Sequence, residues 1–143
     1  MISFGPMQPV TITTSRITRI YVDEALFPFR GRMMAHMFSP HLEALHEMAE
    51  RIGMRKWFQD PMTMNVRWPH YDVPSELRLE AIQYGAIAVN RYQTVVMADY
   101  IIGKPLRQSE FPKLIEAQEW LRQELDMMGL VHPDFADFKA GLE

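Results

Sequence analysis

Glycines at 53, 85, 103 and 129 each close a stretch with helical spacing, and short apolar runs lie between the earlier of these stretches. A chain that alternates strand-like and helix-like segments in this way is directed towards a sheet covered by helices, an α/β domain. The best-marked helix follows residue 39. Ser39 suits the N-cap, Pro40 the first helical position and Gly53 the end. Leu42, Leu45, Ala49 and Ile52 share one face, with Glu43, Glu47, Glu50 and Arg51 mainly on the other. Further helices are predicted from Ser75 to Gly85, from an Asn90 cap over 91–102 to Gly103, and from Ser109 to Gly129. Strands are predicted over 16–23, 33–39, 55–59 and 86–90, with 24–32 a loop and 60–74 a long proline-containing connection. The expectation is one small α/β domain with a mostly parallel or mixed sheet, flanking helices and a C-terminal helical extension. Residues 1–16 form an N-terminal arm or edge strand, 17–103 the core, and 104–143 a helix and tail packed on it. Leu114, Ala117, Leu121, Leu125 and Met128 make the last helix's apolar stripe. Its cover is the same chain or a second copy, so a monomer or homodimer is expected.

The chain has no cysteine, which excludes disulfides and thiolate chemistry and leaves His, Asp, Glu or carbonyl groups as metal ligands. A net charge of -3 without a long basic block argues against an extensive nucleic-acid surface. No apolar run approaches the length of a membrane span. The beginning, MISFGPMQPV, lacks the basic and apolar regions of a secretion signal, so a cytoplasmic protein is expected.

The segment RWPHYDVP is the least scaffold-like. Pro69 and Pro74 stiffen it and speak against a helix interior or a central strand. In an extended chain His70 and Asp72 point the same way, so the carboxylate can orient the imidazole for general acid–base work. Tyr71 adds a hydroxyl, and Trp68 or Phe29 a stacking surface. Asp23 ends an apolar strand, where it can bind a metal, orient a histidine, receive an arginine or serve a turn. Arg30 and Arg32 flank Gly31, an arrangement suited to phosphate oxygens. Arg78, one turn into a helix, opposes the macrodipole there and calls for a partner, either Asp72 or a bound anion. His36 lies inside an apolar strand. His46 lies about 90° from the centre of its helix's apolar face.

These residues support a pocket for an anionic small molecule, a phosphate or nucleotide in first place, acting as a binder or as a phosphoryl hydrolase or transferase. His70, Asp72 and His46 are the candidate catalytic residues; Asp23, Arg30, Arg32, His36, Tyr71 and Arg78 are the candidate ligand-binding ones. No metal or other cofactor is expected, since the histidine spacing matches no helical zinc motif. Two alternatives stay open: a metal-dependent hydrolase or nuclease built on the His/Asp set, and an interaction module docking through its last helix.

The combination YVD (21–23), FPFRGR (27–32), His36, Ser39, LEALH (42–46), WFQ (57–59), HYDVP (70–74) and Arg78 resembles a small bacterial and bacteriophage family of unknown function, domain family 4031. The resemblance covers roughly half of the chain. It implies a shared fold and pocket and brings no activity with it. A phage origin, and with it a host-directed interaction, is among its implications.

Overall fold

Strict alternation organises the sheet around one strand. In Arg32–Phe38 (β3), Arg32, Met34, His36 and Phe38 face one side, and Met33, Ala35 and Met37 the other. The computed structural model describes residues 17–24 and 26–135; the arm at 1–16 and the tail from 136 lie outside the described residues. Around β3 lie Tyr21–Val22 (β1), Phe27–Phe29 (β2), Phe58–Gln59 (β4), His70–Pro74 (β5) and Ile87–Ala88 (β6). The order is β4-β5-β3-β1-β6, with β2 also paired to β3. The helices are Leu42–Arg51 (α1), Ser75–Gln83 (α2), Arg91–Ile101 (α3) and Pro112–Met128 (α4).

The sheet is mixed, and only its β1–β6 pair is parallel among the described strands. The physical reason is local. Residues 24–32, expected to be a loop, contain β2 and the turn into β3. Arg30 (φ 52°) and Gly31 (φ 79°) both adopt left-handed conformations, as a two-residue hairpin turn of the I′ kind requires. Such a turn enforces antiparallel pairing, whereas parallel neighbours need a long crossover. Pro28 is tolerated because β2 pairs on one side only.

The larger departure is β5. Its prolines were expected to exclude a central strand, yet it lies between β3 and β4. Pro69 precedes its first residue and Pro74 is its last, so the amide donors of the four residues between them remain. Three other strands are shorter than expected. Of the described residues 17–23 only Tyr21–Val22 form regular strand, 55–59 divides into a 3-10 turn and the two residues of β4, and 86–90 contracts to Ile87–Ala88.

One face of the sheet, with Val22, Ala35, Met37, Tyr71 and Val73, packs on Leu45 and Ala49 of α1 and Ala81 of α2. On the opposite face, Tyr21 and Phe38 meet Val96 and Met97 of α3 and the Ala117, Leu121, Leu125 and Met128 stripe of α4. The stripe is therefore covered by its own chain. Each fully buried leucine there is worth about 1.5–3 kcal/mol. Glu124 pins α4 to the start of the sheet: Arg19 Nε donates to it at 2.6 Å and the Tyr21 hydroxyl at 2.6 Å. Burial, reinforced by that bond, pushes the Tyr21 phenol well above its usual pKa.

The caps follow expectation in part. Asn90 and Gln93 form a reciprocal capping box on α3, and Gly129 ends α4 with φ 71°. Ser39 does not cap α1 directly. Its Oγ accepts the His41 amide at 3.0 Å and donates to the Arg19 carbonyl at 2.7 Å, and α1 begins at Leu42 with His41 as N-cap. Ser109 likewise receives the Phe111 amide ahead of α4. No helix among the described residues is long and apolar enough to cross a membrane.

Candidate functional site

The β3–β5 register sets His36 directly opposite Asp72, and His70, two residues earlier, emerges on the same face. Asp23 follows β1 and continues its pairing, its amide donating to the His36 carbonyl at 3.1 Å. Its carboxylate grips the same residue twice: Oδ1 accepts the His36 amide at 2.6 Å, and Oδ2 lies 2.6 Å from Nδ1 of the ring. Thr94 of α3 donates to Oδ2 at 3.4 Å. The second ring is held by backbone, with His70 Nδ1 2.9 Å from the Trp68 carbonyl.

These anchors assign the tautomers. A carbonyl and a carboxylate only accept, so both Nδ1 atoms carry hydrogen and each neutral ring leaves Nε2 with its lone pair. One ligand atom from each of His36, His70 and Asp72 lies within 4.8 Å of the others. His70 Nε2 is 3.2 Å from Asp72 Oδ1. Two electron pairs facing each other at that distance call for a cation between them, either a proton or a metal ion. Trp68 stacks on His70 with ring centres 4.5 Å apart, and Phe27 lies 4.8 Å from His36. His70 is buried, while the side chains of His36 and Asp72 remain 31% and 33% exposed, so the cluster opens outward through those two.

Asp72 also lines a cleft of about 660 Å³ on this face, beyond the part covered by α3 and α4. Its walls are apolar: Phe27 and Phe29 of β2, Met34 of β3, Met54, Trp57 and Met64. Gln59, Arg30 and Arg32 are its polar members besides Asp72. Arg32 is engaged with Glu76 at 2.5 Å on the surface. Arg30 is in no ion pair among the described residues, and its guanidinium lies 5.0 Å from the centre of the Phe29 ring.

The structure brings Asp23, His36, His70 and Asp72 together, with Arg30 and Arg32 along the adjoining cleft. His46 and Tyr71 are on the other face. Tyr71 alternates with His70 and Asp72 and so points away from them. Its hydroxyl is 2.7 Å from His46 Nδ1, and the His46 ring stands edge-on to Phe58. Arg78 does not pair with Asp72; its Nε donates to the Asp23 carbonyl at 2.5 Å. Trp68 and Thr94 escaped the sequence reading as anchoring groups. The Trp68 contact is made by backbone and the Thr94 contact spans 71 residues, so neither leaves a local signal. His132 is buried, with Nε2 3.0 Å from the Lys104 carbonyl, and lies apart from this cluster.

Burial, and then the charge of Arg55, lowers the His46 pKa, while burial raises that of Tyr71. The unfolded chain therefore binds the His46 proton more readily than the fold does. Stability from this group is present above the ordinary imidazole value of 6.5 and declines as pH falls below it, until the folded value is passed. His46→Asn should flatten that decline in urea midpoints measured across the range. An unchanged slope would assign the acid sensitivity elsewhere.

Fold and cluster together define a mixed α/β domain bearing two histidines and one carboxylate, with a second carboxylate behind one ring. Residues 20–100 match the family described as Protein of unknown function (DUF4031), and the chain belongs to that family. No curated protein and no solved structure matches the chain. Asp23, His36, His70, Asp72 and Thr94 all fall inside the matched segment, and α4 falls outside it.

Proposed function

We propose that His36, His70 and Asp72 hold one divalent metal ion, and that the protein is a metal-dependent hydrolase of a small anionic substrate. The observation that carries this reading is the convergence of one ligand atom each from His36, His70 and Asp72 within 4.8 Å, with both Nδ1 atoms already anchored by other acceptors. Imidazole and carboxylate donors suit zinc, manganese or iron, and three protein ligands leave coordination positions open for water and substrate. Asp23 has the place of the outer carboxylate that orients a metal-binding histidine and raises its basicity. A bound ion of this kind supplies Lewis acidity and makes water a nucleophile at neutral pH. Around it, Asp23 and Trp68 orient the rings, Trp68 and Phe27 keep water from their faces, and Arg30 receives negative charge from the substrate.

This reverses the order in which the sequence alone ranks the metal-dependent and metal-free readings. The metal-free reading keeps His70 and Asp72 as a proton-sharing acid–base pair, with phosphate held by arginines. It loses weight because Arg78 and Arg32 are already engaged and His46 is remote. The interaction-module reading loses its proposed surface, since the α4 stripe lies in the core.

Tag-free protein, stripped with a chelator and dialysed against zinc, manganese or ferrous ions, should take up one equivalent of at least one of them. Its melting temperature should then rise by mass action. His36→Ala and His70→Ala should each abolish uptake. If no ion binds stoichiometrically to the wild-type chain, the metal reading falls and the acid–base pair takes its place.

A further inference from the structure

The donor cluster and the apolar cleft are continuous through one side chain, Asp72. That continuity says something about the substrate that the metal donors alone do not. The cleft is within the range of about 300–1,000 Å³ typical of small-molecule sites. Its walls are mainly phenylalanine, tryptophan and methionine side chains; Gln59 is the one amide in the lining and no side-chain hydroxyl joins it, which is few neutral polar groups for reading a sugar or a peptide backbone. Several remain open to solvent: Trp57 is 56% exposed and Phe29 53%. Flat aromatic rings and polarisable thioethers favour a planar apolar body.

Charge lies at a defined point of this surface. Arg30 stands at the tip of the β2–β3 turn, held there by the two left-handed residues of the hairpin, with its guanidinium over the Phe29 ring. Arg32 is already engaged with Glu76, so among the described residues Arg30 is the cleft cation that is in no ion pair. Both the cleft's Arg30 and a divalent ion on Asp72 would attract negative charge, and neither would attract an amine.

We propose that the cleft selects an aromatic acid: a planar aromatic body lying against Phe29, Met34 and Trp57, with an anionic group at Arg30. This deepens the hydrolase reading and rests on it for the chemistry, since the end of such a molecule nearest Asp72 would carry the bond to be broken. The binding claim itself stands on the cleft.

The test uses three probes on the full chain, with and without zinc: naphthoate, the neutral naphthol, and acetate. Displacement of the fluorescent anilinonaphthalene sulfonate reads their affinities. Naphthoate should bind one equivalent and compete at least tenfold better than naphthol or acetate. Arg30→Asn removes the charge but suits the left-handed backbone, and should bring naphthoate down to the level of naphthol. Trp57→Ala, at an exposed position, should weaken naphthoate and naphthol alike.

Equal binding of naphthoate and naphthol, or indifference to both substitutions, would overturn the proposal, whatever the metal result. Metal uptake measured separately by dialysis keeps the two readings apart. Zinc bound without selective naphthoate binding removes the aromatic-acid proposal alone. Selective naphthoate binding to a chain that takes up no metal supports the cleft and removes the metal-dependent hydrolase reading.

Discussion

Leu121→Asp should lower the stability of the isolated chain by about 4 kcal/mol or more. Leu121 has no exposed surface and sits among Tyr21, Phe38, Val96 and Met97, where α4 closes over the sheet. The substitution removes a leucine's worth of buried area and leaves a carboxylate in an apolar layer without a partner. Against a total stability of about 5–15 kcal/mol for a typical domain, that is a large fraction. Urea unfolding followed by tryptophan fluorescence would show it as a lower midpoint with a similar slope, or as a chain unfolded from the outset. A variant that stays folded at wild-type midpoint while a wild-type dimer becomes monomeric would place the stripe at an interface between copies instead.

Removal of Asp23 should have the largest effect on the proposed metal affinity short of removing a ligand. Asp23→Ala leaves the His36 amide and Nδ1 without their acceptor, and frees the ring to rotate. Outer-shell losses of this kind weaken metal binding about 10–100-fold. The orphaned amide adds a stability cost of about 1–3 kcal/mol. Asp23→Asn separates the two contributions, because the amide oxygen still accepts a hydrogen bond but carries no charge. Affinities from competition with a chelator dye should then fall in the order wild type, Asn, Ala. Wild-type affinity in Asp23→Ala would mean that His36 is not a ligand.

Much of this site was legible as chemistry and little of it as geometry. That His70 and Asp72 share a face follows from extended backbone alone, and the structure keeps it. The orienting role that a strand-end carboxylate can take is the one Asp23 has, with an arginine received by its carbonyl as well. The meeting of His36 with Asp72 was not legible, because it depends on a cross-strand register set by distant residues. The separation of His46 from the cluster was not legible for a related reason: its position at the border of a helical face does not tell which face of the sheet that helix covers. Helices α1 to α4 were all foreseen because stripes and terminal residues are local signals. Strand β5 was missed because prolines were weighed by their presence and not by their position at its two ends. The bond from Tyr21 to Glu124 spans 103 residues and has no local trace.

Asp23 also joins the two helical layers. Its carbonyl receives Arg78 of α2, which lies on one face of the sheet, and its carboxylate receives Thr94 of α3, which lies on the other. Under the metal reading this makes the residue a thermodynamic coupler. Linkage is reciprocal: by whatever factor the seating of either helix on the sheet raises the ion's affinity, the bound ion favours that seating by the same factor. An occupant of the His36 ring would in turn be felt in both helices through Asp23.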